Sequence, residues 1–170
     1  MEIRDERAGD EDAIRRVHLD AFGGDFEARL VDLLRERGKA IVSRVAEEDG
    51  HVVGHILFSP VTINNASGCR ALGLAPLGVL PAYQGRGIGT SLTREALRRC
   101  AAAGYVLVVL VGAPAYYARF GFQAAKPHGL ENEYGVNEEF MVLELRKGAL
   151  DPLRGLVRYA PEFSADEGDQ

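Results

Sequence analysis

The sequence predicts a mixed α/β fold in which a central mixed, mostly antiparallel sheet is flanked by helices. Three observations carry this expectation. Strand-like apolar runs and helix-periodic runs interleave along most of the 170 residues. A glycine-rich turn, Gln84-Gly85-Arg86-Gly87-Ile88-Gly89, joins a strand-like run to a helix-like one. That helix leads to a further buried strand, a crossover whose two strands should be parallel.

Taken in order, Glu2 to Glu6 reads as a short strand. Asp10 is placed to cap a helix with Glu11 and Asp12 in its first turn. Ile14, Val17, Ala21 and Phe22 recur on its apolar face. Gly23-Gly24 ends it. A second helix starts at Asp25, with Phe26, Leu30, Leu33 and Leu34 on one face and Gly38 as its stop. Ala40 to Ala46 and His51 to Ile63 form a hairpin around Glu47-Glu48-Asp49-Gly50. A strand from Arg70 to Val79 contains Pro76, which implies an edge or a bulge because proline cannot donate to the ladder. The helix Thr90 to Ala103 carries an apolar row, Ile88, Leu92, Ala96 and Cys100. Tyr105 to Val111 is a buried strand and Ala113 to Arg119 a short helix. A strand follows Gly121-Phe122, and the last runs from Glu139 to Leu145. Arg146 to Phe163 reads as irregular. One domain, 1–163, is expected, with 164–170 an acidic, disordered tail.

Composition narrows the function. Hydrophobic residues make up 46% and charged residues 26%, and 25 acidic against 20 basic residues leave a net charge of −5. That disfavours nucleic acid or a membrane surface as partner. Cys69 and Cys100 have no metal-ligand spacing, so neither a metal nor a disulfide framework is expected. The N-terminus does not read as a signal peptide. Ala101 to Ala118 is uncharged and long enough to suggest a membrane span, but Gly104, Gly112 and Pro114 interrupt it.

A glycine-rich strand-to-helix turn suits phosphate. Glycine allows close approach and positive φ, and the first helical N–H groups point outward with the positive end of the helix dipole. Arg86 and the Thr90 hydroxyl supply further donors. No Gly-Lys-Ser or Gly-Lys-Thr occurs, which excludes a P-loop, and Gly85, Gly87 and Gly89 do not fit G-x-G-x-x-G. The spacing does match Q/R-x-x-G-x-G/A, and on these residues the chain resembles the GNAT N-acetyltransferase superfamily. Gly112-Ala113-Pro114-Ala115-Tyr116-Tyr117-Ala118-Arg119-Phe120-Gly121-Phe122 is similar to the family's later motif. Val53 to Ile56 and Phe140 to Leu145 resemble strands of a bacterial group of GNAT proteins of undefined substrate. The resemblance runs the length of the chain and implies the GNAT fold with one parallel, splayed strand pair.

The resemblance implies acetyl-CoA as co-substrate, with its pyrophosphate on Gln84, Gly85, Arg86, Gly87, Ile88, Gly89 and Thr90. It places the pantetheine arm along Leu77, Gly78 and Val79. The reaction it implies is acetyl transfer to a primary amine of a small molecule by direct attack in a ternary complex. The Val79 N–H would serve the oxyanion. Tyr117 would serve the departing thiolate. A phenol of pKa ~10 protonates a thiolate of pKa ~8.5 only uphill, by roughly 2 kcal/mol, so a strengthening hydrogen bond is its main expected contribution. Outside the motif, Tyr117 reads as an aromatic anchoring a short helix. Leu110 stands where many relatives carry a pantetheine-contacting asparagine.

The general base stays open among His55, Glu27, His128, Glu133 and solvent. Glu27, His55 and Tyr116 are the acceptor-side candidates, and the loops Gly23 to Glu27 and Lys126 to Asn137 the expected acceptor walls. Two alternatives remain: a protein or peptide amine as acceptor, or a non-catalytic acetyl-CoA-binding sensor. The family further implies a cytoplasmic bacterial protein and a possible homodimer.

Overall fold

The computed structural model describes residues 1–164. The expected acidic tail, Ser164 apart, lies outside the described residues. The chain forms two compact units. One comprises Met1–Ser59, Ala75–Arg99 and the residues from Pro161; the other comprises Pro60–Leu74 and Cys100–Ala160.

In the first unit, β1 (Glu2–Asp5), β2 (Val42–Glu48) and the first part of β3 (His51–Ile63) pair antiparallel. The register sets Ile3 opposite Ala46 and Val45 opposite His55, with a bulge between Ala46 and Glu47. Two helices follow β1, α1 (Glu11–Phe22) and α2 (Phe26–Glu36). Asp10 does not cap α1 with its side chain. Its carboxylate is diverted to the Arg4 guanidinium, at 2.8 and 3.0 Å, and to the Arg7 N–H at 2.8 Å. A two-pronged charged donor outcompetes a single helix amide. Gly23 ends α1 in the left-handed region at φ 76°, its N–H donating to Leu19 C=O. Ile14, Val17, Leu30 and Leu34 are buried as the periodicity requires, but Phe22 and Phe26 are 46% and 36% exposed.

Alternation along β3 decides what covers it, because successive side chains take opposite faces. A Cβ on Gly54 would lie 2.9 Å from Leu92 of α3 (Ile88–Ala102). The next residue, His55, meets His18 of α1. Helices α1 and α3 therefore lie on opposite faces of β3. The row Ile88, Leu92, Ala96 and Cys100 is buried throughout. Strand β4 (Ala71–Val79) contains a cis Ala75–Pro76 peptide and is tied to β3 at its end by Leu80 N–H on Val53 C=O, 2.8 Å.

In the second unit, Ala71–Gly73 of β4 pair parallel with β5 (Leu107–Val111). The register covers only these three of the nine β4 residues. Strand β5 pairs antiparallel with β8 (Phe140–Glu144), which also takes β6 (Gln123–Ala124). Residues Leu107 to Leu110 are at most 1% exposed, which explains the uncharged stretch as buried strand. It is followed by α4 (Pro114–Tyr117), a 3-10 turn over Ala118–Phe120 and Gly121 at φ 97°. Among the described residues no helix is long and apolar enough to cross a membrane.

Two elements depart from the sequence expectation. The segment after Arg146, read as irregular, contains β9 (Gly155–Arg158), and β7 (Leu130–Asn132) precedes β8. They pair parallel with each other, adding a second parallel pair to the expected one, and β9 also pairs antiparallel with Thr62 and Ile63 of β3. Three or four residues are too few for alternation to show. Tertiary bonds hold them instead: Asn64 N–H donates to Leu156 C=O at 3.0 Å, and the Asn64 side chain accepts from the Leu156 N–H.

Candidate active site

The glycine-rich turn forms the geometry its composition suggests. Gly85 and Gly87 adopt φ 78° and 81°, and nothing lies within 4 Å of where a Cβ would stand on either. The first helical bond of α3 runs from Ser91 N–H to Gly87 C=O at 3.0 Å. The amides before it lie outside the helix ladder and at its positive end. Gln84, Gly85, Arg86 and Gly87 are exposed; Gly89 and Thr90 are half-buried and Ile88 is buried. The Gln84 amide donates to Val79 C=O at 3.0 Å, pinning the turn to the end of β4. Arg86 stacks its guanidinium over Tyr83, 5.1 Å from the ring centre. An anion seated here would meet backbone amides and a cation with no side chain in the way. That is the fit a pyrophosphate needs.

Upstream on β4, Leu77 and Val79 are half-buried and Gly78 is buried. A Cβ at Gly78 would lie 2.8 Å from His18 Nδ1, so only glycine lets this histidine approach the strand. His18 begins a chain of polar groups on the α1 face. His18 Nε2 is 2.8 Å from His55 Nδ1, and His55 Nε2 is 2.8 Å from Ser43 Oγ. Ser43 donates to Glu6 Oε1, and Glu6 Oε2 accepts from Arg35 Nε at 2.6 Å. The register explains the alignment. Ser43 is the diagonal neighbour of His55 on the same face, and Glu6 N–H donates to Ser43 C=O. Both rings are 0% exposed. Burial pulls His18 down to about 4 and His55 well below the ordinary histidine value, the latter helped by His18 and Arg35, so both rings are neutral at pH 7.

The sequence left open that His55 acts on the acceptor directly or through water; here both its ring nitrogens are engaged and the residue is 0% exposed. Sequence reasoning missed His18, Ser43 and Glu6. The available signal was His18 itself, a polar residue four positions from Ile14 on the core-facing stripe of α1. Glu27 stands half-buried in the first turn of α2.

In the second unit, Tyr117 packs its ring on Gly112, where a Cβ would lie 2.6 Å from Cε2. Phe122, Tyr116 and Phe120 surround it at 5.9, 4.9 and 6.2 Å between ring centres. Burial first, and Tyr116 second, push the Tyr117 phenol up to about 12. Proton transfer to a thiolate of pKa ~8.5 is then uphill by about 5 kcal/mol, more than the unperturbed values give. Tyr116 lies under the Arg119 guanidinium, 4.3 Å from its ring centre. Leu110, at the position of the family's asparagine, is buried. His128 Nε2 meets Gln123 Oε1 at 2.9 Å, and Glu133 accepts from the Tyr159 N–H at 2.9 Å, so each has a local partner. Among the described residues no group of three His, Cys, Asp or Glu could hold a metal ion.

A family model for the acetyltransferase (GNAT) domain matches residues 2–125, and the chain belongs to that family. The uncharacterised N-acetyltransferase YhbS of Escherichia coli K12 is 38% identical over 166 residues, 96% of this chain and 99% of the relative. The crystal structure of E. coli YhbS in complex with CoA superposes with a TM-score of 0.92, covering 96% of this chain and 91% of that one. A GNAT family acetyltransferase from Brucella melitensis in complex with acetyl-CoA is 40% identical with a TM-score of 0.81, covering 95% and 97%. The mixed sheet flanked by helices expected from the sequence is thus the GNAT fold, and the protein is a GNAT-type N-acetyltransferase.

Proposed function

We propose that this protein transfers an acetyl group from acetyl-CoA to a primary amine of a small molecule, by direct attack in a ternary complex. The observation that carries the reading is the Gln84–Gly89 turn: two positive-φ glycines with open space above them at the start of α3. A relative of TM-score 0.92 that holds CoA supports it.

In this reading Gln84 to Thr90 hold the pyrophosphate, and Leu77, Gly78 and Val79 present their backbone to the pantetheine arm. The cofactor supplies an activated thioester. The Val79 N–H stabilises charge developing on the acyl oxygen. The Tyr117 phenol, kept protonated by burial, donates a hydrogen bond that strengthens as negative charge builds on the leaving sulfur. Glu27, with the Gly23 to Glu27 loop, and Tyr116 shape the acceptor side. The same reading places the protein in the cytoplasm, where acetyl-CoA is available, and allows pairing of two copies.

The test is thiol release from acetyl-CoA against polyamines, aminoglycosides, amino acids and lysine peptides, with acetyl-CoA binding measured by calorimetry alongside. Turnover on a small amine supports the proposal. Turnover on peptides alone moves the acceptor to a protein, binding without any turnover identifies a non-catalytic module, and no binding overturns the cofactor assignment.

A further inference from the structure

Helices α1 and α2 carry an apolar patch that core packing does not account for. Leu19, Phe22 and Phe26 are 38%, 46% and 36% exposed, all within residues 19–26. Leu19 and Phe22 share one turn of α1, and Phe26 opens α2 across the Gly23-Gly24-Asp25 link. A Cβ on Gly23 or Gly24 would meet nothing within 4 Å, so the link borders open space. Single exposed apolar residues are ordinary, but large ones gathered in one place mark a binding surface.

The interior holds this patch in place. Phe22 stacks on His18, with ring centres 5.9 Å apart and planes inclined by 20°. His18 is buried and sits against Gly78 of β4. Its Nε2 lies 2.8 Å from His55 Nδ1, and His55 is held in turn by Ser43. A side chain whose support is buried and hydrogen-bonded keeps its position without a ligand, which lowers the ordering cost of binding. Phe22 is therefore a standing aromatic surface on the α1 side of β4, one ring removed from Gly78 and the adjoining Val79.

Charge indicates what belongs on it. Residues 17–28 contain Asp20, Asp25 and Glu27 and no lysine or arginine. Asp25 meets Arg29 at 3.7 Å in an exposed pair. An apolar surface set among acids suits a cation with an apolar body. A second copy of the chain suits it poorly, because a two-fold contact sets this acidic segment against itself. An anionic lipid surface is repelled for the same reason. A polyamine or an aminoglycoside answers the acids but presses hydrated charges or hydroxyls against Phe22.

We infer that Leu19, Phe22 and Phe26 are the apolar half of the acceptor site, and that the acceptor is a primary amine carrying an aryl or alkyl group. This rests on the proposed function, which puts the acyl carbon beside the Val79 N–H, and it narrows the small-molecule amine of that reading to an apolar one. The acids draw the ammonium to this side of the protein, and the ring selects the body attached to it.

The test measures thiol release with ethylamine, hexylamine, 2-phenylethylamine and spermidine for wild type, Phe22→Ala and Phe22→Leu. Amine binding to the CoA-saturated protein is followed by NMR titration, which reads the site whether or not transfer occurs. Ethylamine and hexylamine are similarly basic, so a difference between them reports the alkyl chain. Wild type should bind hexylamine and 2-phenylethylamine more tightly than ethylamine and use them with kcat/KM about 10-fold or more higher, the lower end of what one apolar group selects. Phe22→Ala should erase the preference. Phe22→Leu, which keeps an apolar side chain, should retain it for hexylamine, and acetyl-CoA affinity checks that each variant is folded. Equal kcat/KM for ethylamine and hexylamine, a best rate on spermidine, or a preference that survives Phe22→Ala overturns the inference and leaves acetyl transfer intact. Preferential hexylamine binding with no turnover of any amine overturns the transfer reading instead and leaves the apolar-amine site standing. Neither binding nor turnover of hexylamine overturns the inference outright. So does a dimer in sedimentation that Phe22→Ala dissolves, which would assign the patch to a second copy.

Discussion

The ring of Tyr117 rests directly on Gly112, so closely that a Cβ on Gly112 would come within 2.6 Å of Tyr117 Cε2. Gly112 does not have positive φ, so its backbone tolerates alanine and the consequence of substitution is steric. Gly112→Ala should push the phenol off its position at a stability cost of about 1–3 kcal/mol. On the proposed roles, kcat should fall more than acetyl-CoA affinity. Steady-state kinetics beside calorimetric binding checks this; equal loss in both would instead mean that the segment as a whole had collapsed.

Removing only the hydroxyl separates donation from packing. Tyr117→Phe should keep fold and acetyl-CoA affinity and lower kcat about 10- to 100-fold, matching a hydrogen bond to a charged group of about 1.5–3 kcal/mol. Because burial holds the phenol at about 12, its own ionisation should not limit activity below pH ~11. A falling limb near pH 10 that vanishes in Tyr117→Phe would contradict that assignment of its charge state.

The turn proposed to hold the pyrophosphate makes a distinct demand. Gly87 has φ 81° in open space, so alanine there suffers backbone strain rather than a clash, at about 1–2 kcal/mol. The added methyl also projects where the anion would lie. Gly87→Ala should weaken acetyl-CoA binding about 10-fold or more. Gly68→Ala, also unobstructed but without positive φ, serves as the control and should bind as wild type does.

Glu162 anchors the chain beyond β9 onto the end of α2. Its side chain is 1% exposed and accepts from Lys39 at 2.8 and 3.0 Å and from Arg37 at 3.3 Å. Burial alone would raise its pKa, but Lys39 and Arg37 outweigh burial and hold it below the ordinary carboxylate value. A depressed folded pKa stabilises the fold above the unfolded pKa, and that contribution is lost as pH falls through the folded value. Glu162→Gln should cost about 1–3 kcal/mol at pH 7, because both cations keep access to water. The gap to wild type should close as pH falls through the lowered folded value. Urea denaturation at pH 7 and pH 3 measures both; a constant gap would show that charge is not what Glu162 contributes.

Local pattern was enough for much of this molecule. His51–Ile63 forms over the run its sequence marks out, and the row from Ile88 to Cys100 is buried at each turn of α3. The turn at Gln84–Gly89 was legible for the same reason: its glycine spacing, its position between strand and helix and its conformation all reside in contiguous residues. Short β7 and β9 were not legible, because bonds from Asn64 and from each other hold them rather than any periodicity of their own.

The buried polar chain lies at the opposite extreme. Glu6, Ser43 and His55 are separated by 37 and 12 residues, and no motif links them. Strand register alone puts them on one face, and the packing of α1 over Gly78 alone brings His18 to its end. The sequence by itself determined the family, the fold class and the phosphate-type turn, since these rest on local spacing and hydrophobic period. Tertiary structure decided which titratable groups meet, because hydrogen-bond partners distant along the chain are chosen only when strands align and a helix packs across them.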